Sequence, residues 1–330
     1  MPNSAYLMVA EETLSRLNKN DEWRHRYDEY GKKISANINF IKIVRRSFHE
    51  WSPLNIYLNI SSAKNAKISV NFELRYLGQT VADLKANMKV EHKLNTRHYE
   101  KTNRRDFDCD ICLSNADWQG NDAAKFRSFF KDRKDVRKTK SKRKNDEHRL
   151  ESQLLTEFSK TTNKVIRHIK PVKIGGVRFP MPTPISASNH TTVNYSGKAG
   201  GGIDILARTG TGGKATHLCI FELKDENKKS EPPRDALKQA VAYATFIREL
   251  LRSEVGITWW KLFGFGGKIP ETLELYATCV MPSNNGNDYS FRNTEINIGS
   301  DTIKLHYLYF TEENNKISIK PGDTSLAITE

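Results

Sequence analysis

Cysteine is scarce in this chain: 330 residues hold four, Cys109, Cys112, Cys219 and Cys279. That is too few for the disulfide frameworks of small secreted domains, so a reduced, cytoplasmic setting is expected. No run approaches the roughly 18 apolar residues needed to cross a bilayer. The opening MPNSAYLMVAEETLSRLNKN has no basic region leading into an apolar stretch, so neither membrane association nor a secretory signal is expected. No internal repeat is evident. The nine histidines show no H-x-H or paired spacing suited to a histidine-based site, and His190 and His217 receive no role.

Acidic residues are also in deficit. Lysine and arginine number 53 against 39 aspartates and glutamates, a net charge of +14, and the pI is near 9.5. Hydrophobic residues at 37% and aromatics at 10% supply packed cores, which excludes wholesale disorder, and the length suggests two domains. The charge is unevenly spread: residues 1–150 hold 31 basic and 20 acidic side chains, an excess of eleven, while the remaining 180 hold 22 and 19, an excess of three. A basic surface suits a polyanion, because neutralised phosphates release their condensed counterions.

Residues 6–30 read as one amphipathic helix ended by Gly31. NINFIKIV (38–45), LNIYLNI (54–60) and KISVNFELRYL (67–77) read as strands, and DFDCDICL (106–113) alternates strictly. Residues 1–124 are therefore expected to form a β-rich α+β domain. The stretch 125–149 carries twelve basic and four acidic residues, and its part 125–146 reads as a basic linker or helix, solvated or lying along a phosphate backbone. A second domain is expected over 147–330. It begins with a helix carrying Leu150, Leu154, Leu155 and Phe158 on one stripe, and a strand or hairpin follows over 171–181. A Pro- and Ser-rich loop leads to the apolar runs GIDILA (202–207) and HLCIFELK (217–224), read as a hairpin turning at RTGTGGKAT. A helix over 232–254, an aromatic loop ITWWKLFGFGGKIP, and strands at 273–282 and 303–310 complete the order.

Two tempting motifs fail. GTGGK (210–214) lacks the first glycine and the final Ser/Thr of a phosphate loop, with Arg208 and Ala215 in those places, and is read as a turn. Cys109 and Cys112 have no second pair nearby and would face opposite sides of a strand, which argues against zinc. Trp259, Trp260, Phe263 and Phe265 are read as core rather than as a base-stacking surface.

Chemistry concentrates elsewhere. Asp204, Glu222 and Lys224 lie inside apolar strands, where a charge must be paired or bind metal. Strand periodicity puts Glu222 and Lys224 on one face, and the hairpin brings Asp204 beside them. Two carboxylates are hard ligands of the kind Mg²⁺ takes, with water and substrate phosphate completing the shell. Lys224 could orient a water, lower its pKa, or neutralise charge developing on phosphorus.

The Gly-rich lead into Asp204, the triplet Glu222-Leu223-Lys224 and the helix, strand, strand, strand, helix, strand order resemble the PD-(D/E)xK nuclease superfamily over residues ~147–282. Ile203 stands where the name has Pro, and the resemblance does not extend to residues 1–120, which are placed in no family. The resemblance implies an α/β (α+β) fold class with a restriction-endonuclease-like core and a mixed sheet. It makes Asp204 and Glu222 ligands of Mg²⁺, which Mn²⁺ can replace, with the Leu223 carbonyl as a further ligand and Lys224 the catalytic lysine. Gln239 and Tyr243 match the Q-x-x-x-Y spacing of its RecB-type branch, with Ala240 in place of Leu, which implies that Gln239 reaches the site. The superfamily's glutamate on the first helix would be Glu151, with Glu157 in reserve. The expected function is Mg²⁺-dependent hydrolysis of DNA, restriction- or defence-like, with duplex DNA bound by the basic domain. A homodimer would supply the two sites needed to cut both strands. A catalytically silent nucleic-acid binder and an RNA-directed nuclease are the alternatives.

Overall fold

The structure, a computed structural model, describes residues 2–47, 54–61, 68–86, 92–95, 128, 142–160, 162–189, 192–197, 200–212, 215–229, 231–314 and 316–326. The expected strand at 106–113 with Cys109 and Cys112, most of the basic stretch, and His190 lie outside them. The chain is mixed α+β with several sheets and forms two compact units. One unit comprises residues 1–31, 153–172 and 180–330; the other comprises 32–152 and 173–179. The first 31 residues thus group with the C-terminal portion, not with the N-terminal domain expected over 1–124. Among the described residues, no helix is long and apolar enough to cross a membrane.

Two helices, α1 (Pro2–Lys19) in the first unit and α2 (Glu22–Ala36), which runs from it into the second, replace the single helix expected over 6–30. The break falls at Asn20, whose side chain donates back to the Arg16 carbonyl at 2.9 Å. Gly31 does not stop α2. A Cβ there would stand 3.1 Å from Thr258 Cγ2, so glycine permits close packing instead. Trp23 and Tyr27 set their rings edge-on to Phe246, at 5.7 and 5.1 Å between centroids.

The second unit contains α3 (Ile38–Ser47), a helix where a strand was expected. The run Ile38 to Val44 satisfies either period, and packing decides: Ile41 and Val44, three apart, are buried, while Ile43 is exposed. β1 (Asn55–Ser61), β2 (Ser69–Tyr76), β3 (Gln79–Ala86) and β4 (His92–Asn95) form an antiparallel meander. The β2–β3 turn places Leu77 and Gly78 at positive φ, as the tight hairpin turn requires. The helix α4 (Lys142–Glu157) runs across the division between units.

Short strands follow where one strand or hairpin was expected over 171–181: β5 (Lys170–Pro171), β6 (Lys173–Ile174), β7 (Val177–Arg178) and β8 (Met181–Pro182). β6 and β7 extend the second unit's sheet, β7 pairing parallel to β1 through Tyr57 and Arg178. The expected Pro- and Ser-rich loop holds instead a hairpin, β9 (Ile185–Asn189) and β10 (Thr192–Tyr195), with Ile185, Ala187 and Val193 buried. Burial of alternate residues outweighs the turn-like composition there.

The first unit's main sheet uses β12 (Ile205–Thr209), which follows the two-residue β11 (Gly202–Ile203), and β13 (His217–Leu223). These two strands form the expected antiparallel hairpin. Next comes α5 (Pro233–Arg252), begun by proline at its first positions and buried along its length from Ala236 to Leu251. The supposed aromatic loop opens with a short helix, α6 (Gly256–Leu262), in which Trp259 and Trp260 are buried as core. β14 (Glu274–Pro282), β15 (Glu295–Ile298), β16 (Asp301–Glu313) and β17 (Lys316–Ser318) complete the chain. The sheet order is β15-β16-β14-β13-β12-β5, with β17 on β16. β13, β14 and β16 run parallel to one another, while β12 pairs antiparallel with β13 and β5, and β15 antiparallel with β16.

Candidate active site

The hairpin decides where the charges meet. Its last ladder pair is Ile205 with Phe221, so Asp204, at the bend before β12, comes level with Glu222 as the ladder ends. The Leu223 amide donates to Asp204 Oδ2 at 2.8 Å and fixes that carboxylate across the hairpin. Glu222 is 5% exposed and Lys224 8%. Both lie on one face, as the period of two requires, and Lys224 Nζ donates to Glu222 Oε1 at 2.9 Å. One residue past β13, the Lys224 amide still bonds the Val280 carbonyl at 2.9 Å, which holds the lysine backbone against β14.

The glycine-rich lead has a steric cause. A Cβ on Gly200 would sit 1.9 Å from the Thr183 carbonyl oxygen, and one on Gly201 would sit 3.0 Å from the Tyr243 hydroxyl. These glycines let the segment before Asp204 run close under β9 and α5. Tyr243 is buried and bonds the Ala187 backbone. Burial, together with the nearby Glu222 and Asp204 carboxylates, pushes its phenol well above the ordinary range. Gln239 is buried one turn earlier on the same helix face.

The first-helix glutamates both lie on α4. Glu151 belongs to the stretch of α4 in the second unit, where it lies 3.6 Å from His148 Nδ1. Its charge also adds to the burial that raises the Tyr57 phenol. Glu157 pairs with Lys160. The structure therefore brings together Asp204, Glu222, Leu223 and Lys224, with Tyr243 near them and Gln239 one turn earlier on its helix.

Sequence reasoning missed Glu231. Its Oε1 lies 3.7 Å from Lys224 Nζ, seven residues further on and just before the two prolines that start α5. No spacing rule points to it, because the contact depends on how the chain folds back after β13. The amide of Glu231 bonds the Lys228 carbonyl at 3.0 Å and closes this turn. Asn227 staples the turn to the end of β14 and the segment after it, donating to the Pro282 carbonyl at 3.1 Å and to Asn287 Oδ1 at 3.0 Å.

Among the described residues, no group of three or more His, Cys, Asp or Glu forms a ready-made ion cage. The donor set at Asp204 and Glu222 is two carboxylates on a rigid hairpin. That suits Mg²⁺, which keeps several waters and takes one or two carboxylates. No family model matches the chain, and comparison with curated proteins and with solved structures finds no match.

Proposed function

We propose that the chain is a Mg²⁺-dependent nuclease that hydrolyses DNA phosphodiester bonds, an endonuclease of restriction-like or defence type on a restriction-endonuclease-like core. The observation that carries this reading is the joining of Asp204, Glu222 and Lys224 at the open end of one hairpin. The run α4, β5, β12, β13, α5, β14 supports it, as does the net charge of +14.

Bound Mg²⁺ would supply Lewis-acid polarisation of the phosphate and of an attacking water. Asp204 and Glu222 would hold it, with the Leu223 carbonyl as a third oxygen. Asp204 is kept in place by the Leu223 amide, so the carboxylate is preorganised before any ligand arrives. The Lys224 ammonium orients the attacking water and offsets negative charge gathering on the phosphoryl oxygens. Burial of Glu222 and Lys224 thins the surrounding water and strengthens both effects. Gln239 and Tyr243 line the helix side and position the nucleotide. Duplex DNA as substrate, held by the basic N-terminal residues, and a homodimer that cuts both strands extend the same reading.

The test is incubation of the purified protein with circular and linear duplex DNA, and with RNA, in Mg²⁺, Mn²⁺ or EDTA. Metal-dependent cleavage of DNA is expected. Asp204→Ala, Glu222→Ala and Lys224→Ala are each expected to slow it by about 10³-fold or more. Undiminished cleavage by Lys224→Ala overturns the mechanism, and cleavage of RNA alone reassigns the substrate.

A further inference from the structure

Resting on that reading, we infer that Glu231 is a positioning residue that receives the Lys224 ammonium when a divalent cation occupies Glu222. The ammonium stands between two carboxylates of unequal distance: 2.9 Å from Glu222 Oε1 and 3.7 Å from Glu231 Oε1. A cation held by Glu222 takes that oxygen or the other one of the same carboxylate, and either place sets it close beside the ammonium. Like charges at such range repel strongly in a poorly solvated place. Lys224 must withdraw without leaving, because its charge is needed at the phosphate.

Glu231 offers the place to go. It is about a third exposed, against a tenth or less for the other two side chains, so it bears a charge without a large desolvation penalty. Its backbone is tied on both sides. The Lys228–Glu231 turn closes before it, Pro232 and Pro233 follow it, and Asn227 ties the turn to Pro282 and Asn287. The short swing from 2.9 Å contact with one carboxylate to contact with the other needs only rotation of the flexible lysine stem. The charge also balances: three carboxylates, Asp204, Glu222 and Glu231, and one ammonium leave two negative charges for one divalent ion.

The role predicts coupling between Glu231 and Lys224 in metal binding, with no need for turnover. Mg²⁺ alone is titrated calorimetrically into the full-length, metal-free protein and its variants. Asp204→Ala should abolish uptake. Glu231→Gln should weaken Mg²⁺ binding about tenfold, because the ammonium stays on Glu222. Lys224→Met should tighten it, and in that background Glu231→Gln should change it by less than about twofold. Glu231→Ala serves as a second variant with the same expectations. An equal loss on Glu231→Gln with and without Lys224 would mean that Glu231 acts by its own charge, and overturns the inference while the metal site stands. Absence of Mg²⁺ uptake by the unmodified protein overturns the metal site itself.

Discussion

The two units carry sheets of different kinds. In the first, β14 buries five successive residues from Ala277 to Met281, and β13 is buried from Leu218 to Leu223. Both faces of those strands are covered. In the second, β2 alternates, with Phe72, Leu74 and Tyr76 buried and Glu73 and Arg75 between them on the other face. That face is finished with polar groups. Arg75 and Arg178 flank the Tyr57 ring at 4.2 and 5.6 Å, and Glu73 accepts from Arg75 and Thr80. The number of covered faces decides where charge can stand. A strand covered on one side accommodates charge along its length, whereas a strand covered on both accommodates it only where the ladder ends. Glu222 and Lys224 lie at the end of β13, and the buried Asp301 is the first residue of β16.

The largest test of this contrast is at Asp301. It accepts from Arg248 Nε at 2.7 Å, Arg252 Nε at 2.9 Å and the Leu273 amide at 2.9 Å. Asp301→Ala removes the carboxylate that two guanidinium groups and the Leu273 amide share, and should destabilise the first unit by about 3–5 kcal/mol. Faster amide exchange throughout β14 and β16, with β1 and β2 unchanged, is the expected pattern; a loss below about 1 kcal/mol would deny the buried strand end its special demand for pairing.

The counterpart in the second unit is apolar. Ile41→Ala should destabilise it by about 2–5 kcal/mol, and Ile43→Ala by less than about 0.5 kcal/mol. Chemical denaturation followed at β1 and β2 amides measures both. In a strand these residues share a face, so equal losses would restore the strand reading of 38–45 and undo the helix α3.

A third test uses acid. His306 on β16 bonds Ser325 Oγ through Nδ1 at 3.0 Å. Burial first, and then Lys304, push its imidazole down from 6.5 to about 4, with Glu274 pulling the other way. Between those values the unfolded chain binds the extra proton and the folded one does not. Stability is therefore full above about pH 6.5 and falls by roughly 3 kcal/mol as the pH drops to about 4. His306→Gln should flatten this slope in the denaturation midpoint of the first unit; an unchanged slope would place the acid sensitivity elsewhere.

Long elements were legible where one signal dominated. The alanine-rich run to Leu251 with proline at its start, and the apolar strands β13, β14 and β16, need no tertiary information. The reading failed where two signals competed. Ile38 to Val44 fits both periods, and β9 and β10 hide in a proline and serine composition that speaks for a loop. Gly31 looks like a stop signal, but its purpose is contact with Thr258 across more than two hundred residues. At the candidate site, Asp204, Glu222 and Lys224 were legible because charge inside an apolar strand is conspicuous. Glu231 was not, since a glutamate in a polar turn looks like any other.

The first unit is discontinuous, and its opening helices pack on residues made much later. Trp23 and Tyr27 meet Phe246 across some 220 positions of chain. At about 5–20 residues per second, a ribosome takes roughly 10–45 s to cover that span. For that time two large aromatic rings await Phe246 on the growing chain, so the first unit cannot close its core until most of the protein has been made.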